Sequence, residues 1–154
     1  MKTLKITITG LCIAMSCAVL AHSGATGIVK ERMDAMKDMG KMSKQITAMF
    51  KGKTRFEHSA LVEAADAFVL HGNEMKALFP DTHDSRMGKK TEALPKIWED
   101  EEGFSEAVDE FIELSESLQL TVSDTQDEQV LKKAFLQTSK SCRSCHKKYR
   151  KPKR

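Results

Sequence analysis

Four amphipathic stretches dominate the chain. In each of them apolar side chains recur every three or four residues, which is the repeat of one buried face of an α-helix. The predicted helices cover about residues 29–50, 57–78, 103–120 and 127–149. No stretch shows the alternation that is typical of a half-buried β-strand. Four helices of similar length with short or medium links predict an all-α fold, an antiparallel four-helix bundle.

Length and charge exclude several classes of protein. The 154 residues leave room for one ordinary domain, and 31% charged with 40% hydrophobic residues is the balance of a folded core. A formal net charge of +3 is too small to indicate a nucleic-acid-binding protein. The sequence offers no phosphate-binding loop and no paired nucleophile and base, so we expect a binding protein rather than an enzyme.

Residues 1–21 have the organisation of a secretory signal peptide. Lys2 and Lys5 precede an apolar run that is short for a membrane span of about 20 residues, and Ala21 is the predicted last residue of the leader. An uncleaved membrane anchor is the alternative. Cleavage predicts a periplasmic domain over residues 22–154 with no membrane span. It also removes Cys12 and Cys17, which leaves two cysteines in the exported chain.

Those two cysteines belong to the motif Cys142-Arg143-Ser144-Cys145-His146. The spacing C-x-x-C-H is the signature of covalent c-type haem attachment. On a helix, residues i, i+3 and i+4 share a face, so both thiols and the imidazole point the same way. The thiols can form thioethers with the two haem vinyl groups, and His146 can then reach the iron.

Three other interpretations of the motif remain open. A zinc site would need a fourth ligand, for which His58, His71 and His83 are the candidates. A thiol redox pair or a structural disulfide would use Cys142 and Cys145 alone. The export signal and the helical context favour haem, and a haem-free zinc or thiol protein is the alternative from another class.

An export signal, four helices and a C-x-x-C-H motif on the last helix together resemble the class II c-type cytochromes, the cytochrome c′ family. Weaker similarities follow in the same order along the chain: Arg32 and Met36, Lys51-Gly52-Lys53, Leu78-Phe79-Pro80, Pro95-Lys96-Ile97-Trp98 and Tyr149-Arg150.

The resemblance implies one haem c attached to the C-terminal helix. It implies that Cys142 and Cys145 carry the thioethers and that His146 is the proximal iron ligand. Arg32 stands where the family often places a partner of a haem propionate. Met36 stands where low-spin members place a methionine on the iron, and His71 is a more distant competitor for that role.

Two functions follow from the choice of sixth ligand. Ligation by Met36 predicts a carrier of single electrons, whereas a five-coordinate iron predicts a protein that binds NO or CO. The basic ending, residues 147–154, predicts redox partner proteins with an acidic docking surface. The resemblance also implies a homodimer formed through the first two helices.

Overall fold

The structure is a computed structural model that describes residues 24–152. It contains these helices: α1 (Gly27–Phe50), α2 (His58–Met75) with a 3-10 turn (Lys76–Leu78), α3 (His83–Met87), α4 (Lys96–Glu99), α5 (Glu101–Asp124) and α6 (Glu128–Tyr149). The predicted leader, with Cys12 and Cys17, lies outside the described residues. Within them, no helix is long and apolar enough to cross a membrane.

The four long helices form the predicted bundle. Helix α1 packs against α2, α2 against α5, and α5 against α6. The fourth side of the bundle is different, because α1 and α6 face each other across a cavity. The all-α four-helix prediction is therefore confirmed, with one side of the bundle open between its first and last helices.

Close packing between α2 and α5 forms the firm side of the bundle. Gly72 lets the two helices approach, since a Cβ atom there would lie 3.1 Å from Ile112 and 3.3 Å from Phe111. Leu61 and Leu118 are fully buried in the same core. Because interiors are packed as densely as organic crystals, this contact fixes the spacing of the two central helices.

Helix α5 is longer at both ends than the predicted 103–120. The sequence prediction stopped before Thr121 because threonine, valine and serine favour helices only weakly. In the structure Val122 is only 2% exposed, so tertiary burial extends the helix to Asp124.

The start of α6 is capped by Asp127. Its carboxylate accepts hydrogen bonds from the backbone N–H groups of Gln129 at 2.8 Å and Val130 at 3.3 Å. Thr125 and Glu128 have the sequence spacing of a capping box, but this prediction is wrong, because the Thr125 hydroxyl accepts instead from the N–H of Asp127, outside the helix. The threonine orders the turn, and the aspartate caps the helix.

The connection between α2 and α5 differs from the long polar loop that the sequence predicts over 80–95. It contains α3, which Thr82 caps by accepting from the Ser85 N–H, and α4. Ser85 is fully buried. Its hydroxyl and its carbonyl both accept hydrogen bonds from Arg32 of α1, at 3.0 and 2.6 Å. The connection is thereby fixed to the first helix.

The end of α6 is fixed to the same connection. The N–H of Leu94 donates to the Tyr149 carbonyl at 2.9 Å, and the N–H of Lys151 donates to the Glu92 carbonyl at 2.8 Å. The Tyr149 hydroxyl donates to Asp100, in front of α5, at 2.8 Å. Thus Asp100, within the acidic run 99–102, contacts the end of α6.

The capping of α6 predicts a stability effect at Asp127. Asp127→Ala removes the acceptor for two backbone N–H groups and is expected to lower the free energy of unfolding by about 1 kcal/mol. Asp127→Asn keeps an oxygen at the same place and should retain most of the stability. Urea denaturation of both variants tests the cap, and equal losses would contradict it.

The contacts of Asp100 predict a pH dependence. Lys148, 3.0 Å away, and Tyr149 hold the pKa of the Asp100 carboxyl below its ordinary value. A lowered carboxyl pKa stabilises the fold above the unfolded value of about 4, and this contribution is lost as the pH falls. Asp100→Asn should therefore flatten the fall in stability between roughly pH 5 and pH 3.

Thermal denaturation across that pH range measures the effect. Glu113→Gln removes one negative charge at an exposed position within α5 and is the control. Identical pH profiles for Asp100→Asn and the unmutated chain would show that the contact contributes nothing.

Candidate functional site

Two adjoining cavities occupy the open side of the bundle. The larger has a volume of about 620 Å³ and the smaller of about 390 Å³. They share a set of lining residues from both walls: Met36, Gly40, Lys44, Met75, Cys145 and His146. The two spaces therefore form one slot that runs between α1 and α6.

The structure brings the three motif side chains together in this slot. Cys142, Cys145 and His146 all line the larger cavity, as the i, i+3, i+4 spacing predicts. Both cysteines are half-buried and pack against the core. A planar group bonded to both sulfurs would lie inside the bundle, with its edge at the surface.

Burial makes the two thiols poor candidates for thiolate chemistry. It raises the pKa of Cys142 to about 11, and burial together with the charge of Glu110 raises the pKa of Cys145. Redox-active cysteines need a lowered thiol pKa. Neutral thiols in an apolar slot suit thioether formation better, because a thioether has no charge to bury.

The opposite wall of the slot is provided by α1. Met36 lines both cavities, and Met39 lines the larger one. Gly40 lies one turn after Met36, and a Cβ atom added to it would meet nothing within 4 Å. A glycine within a helix costs stability, so open space beside it indicates room for a bound group rather than a tight helix contact.

His71 is not part of this wall. Its ring lies 3.3 Å from Asp38 and 3.7 Å from Glu74, and it lines neither cavity. Met36 is the α1 residue that lines both cavities and has a side chain able to bind iron. The geometry therefore places Met36, rather than His71, across from the motif.

Arg32 stands at the end of the smaller cavity and is only 3% exposed. Its guanidinium donates to Ser85 and, at 2.6 Å, to the Thr91 hydroxyl. Within residues 24–152 no carboxylate lies within salt-bridge distance of it. Burial lowers the pKa of the Arg32 guanidinium. A buried cation held only by neutral groups suits an incoming carboxylate, such as a propionate.

The zinc interpretation is not supported by the positions of its candidate ligands. In the part of the chain that the structure describes, no three His, Cys, Asp or Glu side chains are grouped so that they could hold a metal ion. His83 is exposed, with 87% of its side chain accessible, and His58 begins α2 without lining the slot. The motif therefore lacks the further ligands that a zinc site requires.

Several contributors to the site were not singled out from the sequence. Ser85 and Thr91 hold Arg32, but nothing in their local sequence links them to a residue more than fifty positions earlier. Gly40 could have been found, because an isolated glycine inside a helical pattern usually has a packing or functional reason. Trp98, in contrast, is a buried residue whose indole N–H donates to the Phe79 carbonyl at 3.0 Å.

Known proteins share this arrangement. The family model described as Cytochrome C' matches residues 27–150. A cytochrome c′ of Rhodopseudomonas palustris is 33% identical over 150 residues, which are 97% of each chain. The solved structure of a cytochrome c′ from that organism covers 84% of this chain and 99% of its own, with a TM-score of 0.75 and 32% identity. A cytochrome c-556 of the same organism is 24% identical, over 94% of this chain and 95% of its own.

The match spans all four long helices and the slot between α1 and α6. It includes the whole C-x-x-C-H motif and ends at Arg150, four residues after His146. The resemblance drawn from the motif is confirmed, and so is the cofactor that it implies. This chain belongs to the cytochrome c′ family and carries one covalently attached haem c with its iron.

Proposed function

We propose that this protein is a periplasmic mono-haem cytochrome c′ that binds a small uncharged diatomic gas, NO or CO, on the α1 side of its haem. The comparisons support gas binding more directly than electron transport, since cytochromes c′ bind these gases. A variant of the Alcaligenes xylosoxidans cytochrome c′, 25% identical to this chain, forms a nitric oxide complex. The observation that carries the proposal is the pairing of His146 on one wall with the apolar side chains of Met36 and Met39 on the α1 wall opposite.

The residues of α6 hold the cofactor in this proposal. Cys142 and Cys145 form the two thioethers, and His146 binds the iron from the α6 side. The haem supplies an iron that can bind a gas or change its charge by one electron. The raised thiol pKa values fit this arrangement, because neutral sulfur is retained in the apolar slot once the bonds are made.

The α1 wall determines what can approach from the other side. Its cavity-lining side chains near the motif are Met36 and Met39, and Gly40 adds open space. Phe68 and Phe111 complete an apolar surface in the larger cavity. These apolar side chains admit a small uncharged molecule at low cost.

Electron transport with Met36 as the sixth ligand is the second candidate function. Met36 lines both cavities together with His146, so its side chain lies in the slot on the wall opposite the proximal ligand. The similarity to a protein called cytochrome c-556 adds support. Methionine and histidine together raise the reduction potential and favour electron transfer over gas binding.

Arg32 holds a haem propionate in this proposal. The support is its burial beside the smaller cavity and the absence of a carboxylate partner within residues 24–152. A guanidinium can bind a carboxylate through two parallel hydrogen bonds. Ser85 and Thr91 then act as positioning residues, because they orient the guanidinium before the haem is bound.

Location and assembly complete the proposal. Cytochrome c′ homologues are periplasmic, and residues 1–21 are predicted to direct this chain there. Homodimer formation through α1 and α2, and redox proteins as partners, also remain proposals. A cytochrome c′ of known structure shows ligand-controlled dimer dissociation, and at 24% identity it supports the shared fold.

The state of Met36 distinguishes the two candidate functions. For gas binding, the unmutated ferric protein should have a high-spin spectrum, and the ferrous protein should bind CO. Met36→Leu should then change the CO affinity by less than about threefold, which is under 1 kcal/mol. Met42→Leu, on the same helix but outside the lining of the slot, is the matched control.

Electron transport predicts the opposite spectrum. A low-spin ferric protein with a near-infrared sulfur-to-iron band that disappears only in Met36→Leu would establish the electron-transport candidate. A pyridine haemochrome spectrum and the mass of the mature chain measure haem attachment separately. Absence of covalent haem would overturn both candidates.

Arg32→Gln tests the propionate contact. Removing a buried positive charge next to the haem should lower the reduction potential, because the ferric form is then less disfavoured. It should also cost about 1–3 kcal/mol of unfolding free energy, since Ser85 and Thr91 lose their donor. Ser85→Ala is the control, because it loosens the same contact but keeps the charge. Equal potentials for Arg32→Gln and Ser85→Ala would contradict the assignment.

A further inference from the structure

Charge is unevenly divided among the four long helices. Helices α2 and α5 together contain eleven Asp and Glu residues and no Lys or Arg. Helices α1 and α6 together contain eleven Lys and Arg residues and four Asp and Glu. The small net charge of the whole chain conceals this separation.

The packing order turns the separation along the sequence into a separation in space. Helices α2 and α5 pack against each other and form the closed side of the bundle. Helices α1 and α6 form the walls of the slot. The haem slot therefore opens on the basic side of the molecule, and the acidic side lies behind it.

Basic side chains line the slot and the groove that adjoins it. We call them the basic face: Lys37, Lys44 and Lys51 from the α1 side, and Lys132, Lys133, Lys140 and Arg143 from α6. All the α6 members are exposed. The acidic residues in the same linings are Glu92, which lies 3.8 Å from Arg150, and Glu128 at the far end of α6.

A shallow groove continues the slot along this face. It has a volume of about 810 Å³ and lies between the end of α1 and the first half of α6. Leu136, which is 49% exposed, lines both this groove and the larger haem cavity. An apolar centre within a charged rim is the arrangement of a transient protein interface.

We propose that the basic face is the docking surface for an acidic redox protein that exchanges one electron with the haem. The proposal rests on the haem lying between α1 and α6, and not on whether Met36 or a gas occupies the sixth position. Charge complementarity identifies the partner, because opposite charges around a redox centre steer encounters toward it. The steering extends beyond the basic ending 147–154, since all seven members of the face precede residue 147.

The test uses the full-length protein with its haem and a defined acidic partner, a reduced plant-type ferredoxin. One electron passes from the reduced iron–sulfur cluster to the ferric haem, and no bond or proton is transferred. Stopped-flow absorbance follows haem reduction over a range of ionic strength. Hexaammineruthenium(II), a small cation, is the reductant of opposite charge.

The ferredoxin rate should fall as salt is added, and the hexaammineruthenium(II) rate should rise. Lys140→Glu should slow the ferredoxin reaction at low salt by roughly three- to tenfold and accelerate the cationic reductant. Glu113→Lys changes the net charge by the same amount in the opposite direction on the acidic side. It should leave both rates within about twofold.

The double variant Lys140→Glu/Glu113→Lys separates local from overall charge, because its net charge is that of the unmutated chain. It should behave like Lys140→Glu alone. Behaviour like the unmutated chain would overturn the proposal. Both positions are exposed, so the variants should keep their haem spectra.

Two other occupants of the face are also tested. Sedimentation with phosphatidylglycerol vesicles that is lost in Lys140→Glu would identify a membrane instead of a protein. Concentration-dependent self-association that is lost in either single variant would identify the acidic side of a second copy. Either result would overturn the proposal. Normal haem attachment with salt-independent rates would overturn only this inference, whereas missing haem would overturn the proposed function.

Discussion

The site depends on how two helices that touch only weakly are held at a fixed distance: at one end the Phe50 ring of α1 and the Phe135 ring of α6 are 5.7 Å apart. Helices α1 and α6 form the walls of the slot, and the connection between α2 and α5 joins both of them. Ser85 and Thr91 accept hydrogen bonds from Arg32 of α1. Residues of the same connection pair with the backbone at the end of α6. The connection is therefore a strap across one end of the slot.

This strap explains why an irregular segment contains fully buried polar groups. Ser85 is inaccessible, and Arg32 is only 3% exposed. Burying a guanidinium is costly unless its donors are satisfied, so the geometry of the strap is strongly determined. The Arg32 Cζ atom lies 4.9 Å from the centre of the Phe79 ring, which extends the contact to the segment that follows α2. The same bonds that position the arginine also fix α1 to the connection that pairs with the end of α6.

The sequence predicted the parts of this structure that depend on local patterns. The four long helices follow from apolar periodicity, and the shared face of Cys142, Cys145 and His146 follows from helical spacing. Two kinds of feature could not be predicted from local patterns. The last turn of α5 forms because Val122 is buried, and the strap forms because Arg32 meets residues more than fifty positions away. Both depend on tertiary contacts that override weak local preferences.

Helix α1 carries two tasks at successive turns of one face. Met36 and Gly40 line the shared part of the slot, where they determine what can approach the haem from α1. Lys44, one turn after Gly40, brings positive charge to the rim of the same slot. Met36, Gly40 and Lys44 are spaced four residues apart, so they lie at successive turns of one helix face, and the two tasks are separated along the helix axis rather than around it. A replacement at Met36 alters the chemistry at the iron and leaves the field that a charged partner meets at the opening of the slot unchanged.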